Sequence, residues 1–304
     1  MKTPLSRTLF SKNALRMFAL GAVVITHAGC GTVLDSDTTD DTGEDGVSCS
    51  YTANTTETST VNSYGCARLT RDTSSCRATR EAAGLSSFWL DFSCAVDLSK
   101  SGSTVTISTE GIPDYKSYYF GSTNACYEDF DISGRDPNPN SLAAVDITMS
   151  VPFAPAERLL PKTSTAMGTI GVSVNGVAIF NNAAAGDDNI YDEVATFDQC
   201  EGHPAGTTYH YHIEPPAISN NDSNLIGVMR DGFPVYGKKD ANGTFPALDS
   251  YGGHTGALPN DTSTTLYHYH LQYLDGEDGD GNFAEAYFLM TDKYYGTPGT
   301  CTNC

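Results

Sequence analysis

Asp198-Gln199-Cys200-Glu201-Gly202-His203 followed by Tyr209-His210-Tyr211-His212 is one of two copies of a motif in this chain. Asp249-Ser250-Tyr251-Gly252-Gly253-His254 followed by Tyr267-His268-Tyr269-His270 is the other. Six of the seven histidines fall between residues 203 and 270, a clustering that random scatter does not give. The repeat reaches further back. Ile170-Gly171-Val172 with Asn175-Gly176 and Ile179-Phe180 matches Ile226-Gly227-Val228 with Asp231-Gly232 and Val235-Tyr236. The unit is about fifty residues long, over 170–213 and 226–271. Solenoids need three or more units, so two copies read as a duplicated half-domain with a two-fold internal relation.

Alternate residues of a strand point to opposite faces, so His210 and His212 share one face while Tyr209 and Tyr211 share the other. If the two motif strands lie side by side or face each other, His210, His212, His268 and His270 converge on one shared site. His203 and His254 then approach from loops. Neutral imidazole suits transition metals, whereas calcium and magnesium want oxygen. All six histidines are therefore the expected metal ligands. Copper is favoured over zinc because nitrogen ligation and the divalent affinity order both point to it. Asp198 and Asp249 are expected to accept the far ring N–H of a ligating histidine, or to ligate directly. The bland alternative, aromatic strands whose histidines simply pack, is weakened by the duplication, since six clustered imidazoles repel on protonation.

The Asn175-Gly176 and Asp231-Gly232 pairs are hairpin turn signals, because both residue types tolerate positive φ. Alternating stretches at Thr104–Thr109, Val145–Val151, Leu266–Leu271 and Ala286–Met290 add strands. Pro234 suits an edge or a bulge. One short helix is expected around Arg77–Leu85. The fold class is mainly β, a sandwich or barrel-like domain stabilised by disulfides.

Basic residues Lys2, Arg7, Lys12 and Arg16, an apolar run from Met17 to Ile25 and then Ala28-Gly29-Cys30 read as an export signal over residues 1–30. Small residues before a cysteine resemble a bacterial lipoprotein cleavage site, so Cys30 is expected to be acylated and to anchor the chain at an outer membrane or cell surface. Residues 31–47 hold a run rich in Asp and Glu, expected to be a disordered tether. Beyond Cys30, eight cysteines remain, an even number that reads as four disulfides in an exported chain. Residues 48–94 carry four of them and are expected to form a small Cys-rich module or an extension packed on the main domain, 95–304. Cys301 and Cys304 tie down the tail in preference to a redox or zinc role.

The net charge of −20 and pI near 4.4 argue against nucleic acid as a partner. Asp275, Asp278, Asp280 and Asn282 resemble the start of a calcium loop, but Phe283 and Leu289 stand where an EF-hand needs Gly and Glu, so an exposed acidic loop is preferred to a calcium site.

The paired Tyr-His-Tyr-His strands, Asp198-Gln199-Cys200-Glu201-Gly202-His203-Pro204, the Asn-Gly turn and Asp231-Gly232-Phe233-Pro234-Val235-Tyr236-Gly237 resemble the bacterial YHYH-domain family over roughly 95–304. The resemblance implies an exported domain with a suspected metal site and supplies no reaction. Tyr251 stands where the first copy has Cys200, which assigns Cys200 to a disulfide. Three functions compete: copper handling or redox chemistry; a zinc-dependent hydrolase with Glu201, Asp198 or Asp249 as general base; and a non-enzymatic structural or binding β-domain.

Overall fold

The computed structural model describes Cys49 and residues 55–186, 189–218, 221–277, 283–289 and 292–304, all in one compact unit. The export signal with Cys30, the tether, and Asp278, Asp280 and Asn282 lie outside the described residues. The chain opens with hairpin β1 (Thr55–Val61) and β2 (Ala67–Arg71), then helix α1 (Arg77–Ala82). Strands β3 (Asp97–Ser101), β4 (Thr104–Thr109) and β5 (Ile147–Pro152) follow. The first motif copy supplies β6 (Gly171–Ser173), β7 (Ala178–Ile179), helix α2 (Ile190–Val194), β8 (Gly202–Ala205) and β9 (Thr208–Tyr211). The second supplies β10 (Leu225–Met229), β11 (Pro234–Tyr236), β12 (Gly253–Leu258) and β13 (Asp261–His270), and the chain ends with β14 (Gln272–Glu277), β15 (Phe283–Phe288) and β16 (Thr300–Thr302).

The fold is mainly β, as the sequence predicts. Eight strands form one sheet in the order β12-β13-β11-β10-β6-β7-β9-β8, and four form another in the order β16-β5-β4-β3. One apolar cluster joins both sheets, including Val105, Ile107, Met149 and Val151 with Val172, Ile179, Val228 and Val235, along with Trp89 and Phe92 from the N-terminal segment.

The pairings of the two motif copies correspond. At the middle of the large sheet, β6 and β10 run antiparallel with Val172 opposite Val228. Outward on one side, Ile179 lies beside Tyr211 in the parallel β7–β9 pair; on the other, Val235 lies beside Tyr269 in the parallel β11–β13 pair. The turns at Gly176 and Gly232 have φ of 91° and 87°, the left-handed region that glycine enters without strain. Pro234 is the first residue of β11, opposite Val228, and the irregularity in the β10–β11 register lies further along, between the pairings of Gly227 with Val235 and Leu225 with Tyr236. It is not on an edge, because β13 covers that side.

All eight cysteines beyond Cys30 are paired: Cys49–Cys126, Cys66–Cys200, Cys76–Cys94 and Cys301–Cys304. Cys200 is thus in a disulfide, as its replacement by Tyr251 in the second copy implies. Two of the bonds join residues 49–94 to the main domain, and Leu85, Phe88, Trp89 and Phe92 sit in the shared core.

Candidate metal centres

The two Tyr-His-Tyr-His strands do not meet. Strands β9 and β13 stand five strand steps apart in the large sheet, on the order of 20 Å at about 4.8 Å per step. The expectation of one shared site is therefore corrected to two separate centres. The cause is topological: each motif strand pairs antiparallel with the strand just before it and parallel with its own copy's short strand, which drives both motifs outward. His203 and His254 also leave their expected loops for edge strands β8 and β12, opposite His210 and His268.

At the first centre, His210 Nε2 lies 3.1 Å from His203 Nε2 and 2.9 Å from His212 Nε2. The other ring nitrogens settle the tautomers. His210 Nδ1 is 3.0 Å from the Thr208 carbonyl and His212 Nδ1 is 2.5 Å from the Asn181 carbonyl, and a carbonyl only accepts, so both Nδ1 atoms donate. Thr196 Oγ1 spends its proton on the Glu193 carbonyl and so accepts from His203 Nδ1, 2.6 Å away. The Asn138 amide is also 3.3 Å from that Nδ1, but it donates to the Pro204 carbonyl at 3.1 Å, and the shorter Thr196 contact decides. Three bare Nε2 lone pairs therefore face one another inside a buried site. Burial and the neighbouring imidazoles push the pKa of His203 down to about 3 and that of His210 well below its usual value.

Helix α2 brings a carboxylate to this cluster. Asn189 caps it by accepting from Tyr191 N–H, and Ile190 and Tyr191 bury against Phe197, Ile213 and Phe288. That anchoring places Glu193 Oε2 3.2 Å from His212 Nε2 and 3.5 Å from His203 Nε2. Burial raises the Glu193 pKa, but the contacts with His212, His203 and the Ala185 amide together leave the net shift downward.

The second centre repeats the first with different surroundings. His268 Nδ1 and His270 Nδ1 donate to the carbonyls of Leu266 and Gly237 at 3.0 and 2.7 Å, again turning both Nε2 atoms inward. Asp240 Oδ1 sits 3.1 Å from His254 Nε2 and 3.4 Å from both His268 Nε2 and His270 Nε2. Burial lowers the pKa of His268 and takes that of His270 to about 4. His270 Nε2 is buried without a hydrogen-bond partner. A Cβ on Gly256 would stand 2.9 Å from His254 Cε1, so this edge strand leaves space for the ring only with glycine there.

Asp198 and Asp249 touch no histidine. Asp198 accepts from Tyr209 Oη at 2.7 Å, Ser117 Oγ at 2.5 Å and the amides of Cys200 and Gly202. Asp249 likewise accepts from Tyr267 Oη at 3.0 Å and the amides of Tyr251 and Gly253. Each aspartate ties the Gly-His turn to the tyrosine face of the strand. Gly202 and Gly253 are needed because a Cβ there would collide with the Tyr209 or Tyr267 ring. Glu201 is also occupied elsewhere, in an ion pair with Arg135 at 2.9 Å. The carbonyls that orient the histidines and the carboxylates Glu193 and Asp240 carry no signal in the sequence. Carbonyls leave no residue signature, and the two carboxylates sit at non-corresponding positions of the repeat.

Tyr269 and Tyr211 are fixed by Asp231 and Asn175, which stand at matching positions: Tyr269 Oη donates to Asp231 at 2.6 Å, and the Asn175 amide donates to Tyr211 Oη at 3.2 Å. Burial raises the Asp231 pKa to about 6. The folded state therefore holds this proton more tightly than the unfolded chain, whose carboxyl titrates near 4. The stability it contributes is present below about pH 4 and lost as pH rises through about 6. Comparing wild type with Asp231→Asn cancels the histidine contribution. The variant should gain about 1 to 3 kcal/mol relative to wild type between pH 4 and pH 7. A difference in denaturation free energy that stays flat over that range would contradict this.

No curated protein and no solved structure matches this chain. Residues 148–251 match the family described as YHYH protein, a stretch that contains His203, His210, His212, Glu193 and Asp240 and stops before His254. That match bears out the resemblance to the YHYH-domain family over residues 148–251.

Proposed function

We propose that this protein is an exported, lipid-anchored metalloprotein that holds one transition-metal ion in each of two three-histidine centres, for metal handling or redox chemistry. The observation that carries the reading is the inward convergence of Nε2 lone pairs whose Nδ1 protons are committed elsewhere. Buried neutral acceptors about 3 Å apart repel, and a cation at their centre turns that repulsion into ligation. Spacing supports it too. A tetrahedral ion about 2.0 to 2.1 Å from each ligand has ligand–ligand edges of about 3.3 to 3.4 Å. The Asp240 contacts of 3.1, 3.4 and 3.4 Å fall at that edge length.

Copper is favoured by the nitrogen-dominated ligand set and the affinity order. The near-tetrahedral spacing at the second centre favours zinc as the second metal, and a zinc-dependent hydrolase is the second reading of the function. Export is supported by four disulfides, which persist in oxidising compartments, and by the signal-like stretch ending at Cys30. A metal that binds only the folded state stabilises it by about 2.7 kcal/mol at 100 times its dissociation constant. The chelator-stripped protein should therefore melt several degrees lower than the copper- or zinc-reloaded protein. Calcium and magnesium should give no such shift, and equal melting of stripped and reloaded protein would sink the reading.

A further inference from the structure

The two centres differ in how their carboxylates stand. Asp240 belongs to a set of four ligand atoms, with His254, His268 and His270, that all lie within 4.8 Å of one another. The corresponding set at the first centre holds only the nitrogens of His203, His210 and His212. Glu193 Oε2 lies near only two of those nitrogens, 3.2 Å from His212 Nε2 and 3.5 Å from His203 Nε2, and falls outside that set. A closed four-ligand shell is the mark of a structural ion, and three protein ligands with a vacant fourth position are the mark of a reactive one.

Resting on the metal-binding reading, we propose that the first centre is the reactive one. Its three histidines leave one coordination position for a small monodentate ligand, water in the resting protein, and the Glu193 carboxylate stands beside that position as hydrogen-bond acceptor. The second centre is closed by Asp240 and locks its half of the sheet. The surroundings divide the same way. The turn carrying His203 is clamped by the Cys66–Cys200 disulfide and the Arg135–Glu201 pair, and Phe197 stacks on His212 with ring centroids 5.9 Å apart. Such rigidity holds an incomplete ligand shell in place without a fourth protein ligand. Tyr251 and Gly252 occupy the matching positions at the second centre, where Tyr251 packs beside Tyr295 with ring centroids 6.1 Å apart in place of a disulfide, and Asp240 completes the four-atom set.

Azide is the probe. The full chain, loaded with two equivalents of copper(II), should bind one azide, seen as a new ligand-to-metal absorption band and a change in only one of two spin-resonance signals. His210→Ala should abolish the band. Asp240→Ala, which opens the second shell, should allow a second azide. Two azides bound by the unaltered protein, none bound, or a band that survives His210→Ala and disappears with His268→Ala would each overturn the assignment. The stoichiometry on the unaltered protein needs no variant to fold. A chain that takes up no copper at all overturns the metal-binding reading itself, an outcome separate from two loaded centres that both ignore azide.

Discussion

His210→Ala should remove one metal ion and leave the other, and His268→Ala should do the converse. In the proposed two-centre reading each residue is a central ligand: His210 Nε2 touches the Nε2 atoms of both His203 and His212, and His268 Nε2 lies opposite His254 and 3.4 Å from Asp240. Loss of an outer partner of a ligand weakens metal affinity about 10- to 100-fold, and loss of the ligand itself should exceed that. Each single variant should bind its lost ion at least about 100-fold more weakly, with the other affinity unchanged, and the double variant should bind neither. The separation of β9 and β13 by four intervening strands is what makes the two losses independent. If either single change emptied both sites, the picture of two separate centres would fail.

Removing the Cys66–Cys200 bond should have the largest effect on stability. It closes a loop with a sequence separation of 134 and joins the turn between β1 and β2 to the turn that carries His203. A loop of that length corresponds to about 5 kcal/mol in the chain-entropy treatment, and Cys49–Cys126, which already shortens the unfolded chain, brings the expectation to about 3 to 5 kcal/mol. The paired change Cys66→Ser with Cys200→Ser, measured by denaturant unfolding, should lose that much. It should also weaken metal binding at the first centre while sparing the second, because Cys200 lies within the Asp198–Gly202 turn that delivers His203. Equal weakening at both centres would show that the bond acts only on global stability.

Period-two alternation placed His210 and His212 together and Tyr209 and Tyr211 on the other face, since that follows from strand geometry alone. The Asn-Gly and Asp-Gly turns were equally legible, because positive φ is written in residue type. Strand order was not. Local pattern fixes which face a side chain takes and says nothing about which strand lies next, so one shared site and two separate ones fit the same repeat. Asp198 and Asp249 misled for a related reason. An aspartate before a Gly-His turn can serve the histidine or the tyrosine of the paired strand, and the hydrogen bonds from Tyr209 to Asp198 and from Tyr267 to Asp249 show that it serves the tyrosine face. Glu193 and Asp240 were hidden because the repeat breaks down there: one rides on a capped helix, the other on a loop after Lys239.

The central claim is two independent metal centres in one chain, and metal stoichiometry by plasma mass spectrometry tests it most directly. The full chain, purified from an oxidising compartment without a histidine tag and reloaded with copper or zinc, should carry two ions, falling to one with His210→Ala and one with His268→Ala. A protein that holds no metal after reloading, or a single ion lost with either variant, would contradict it.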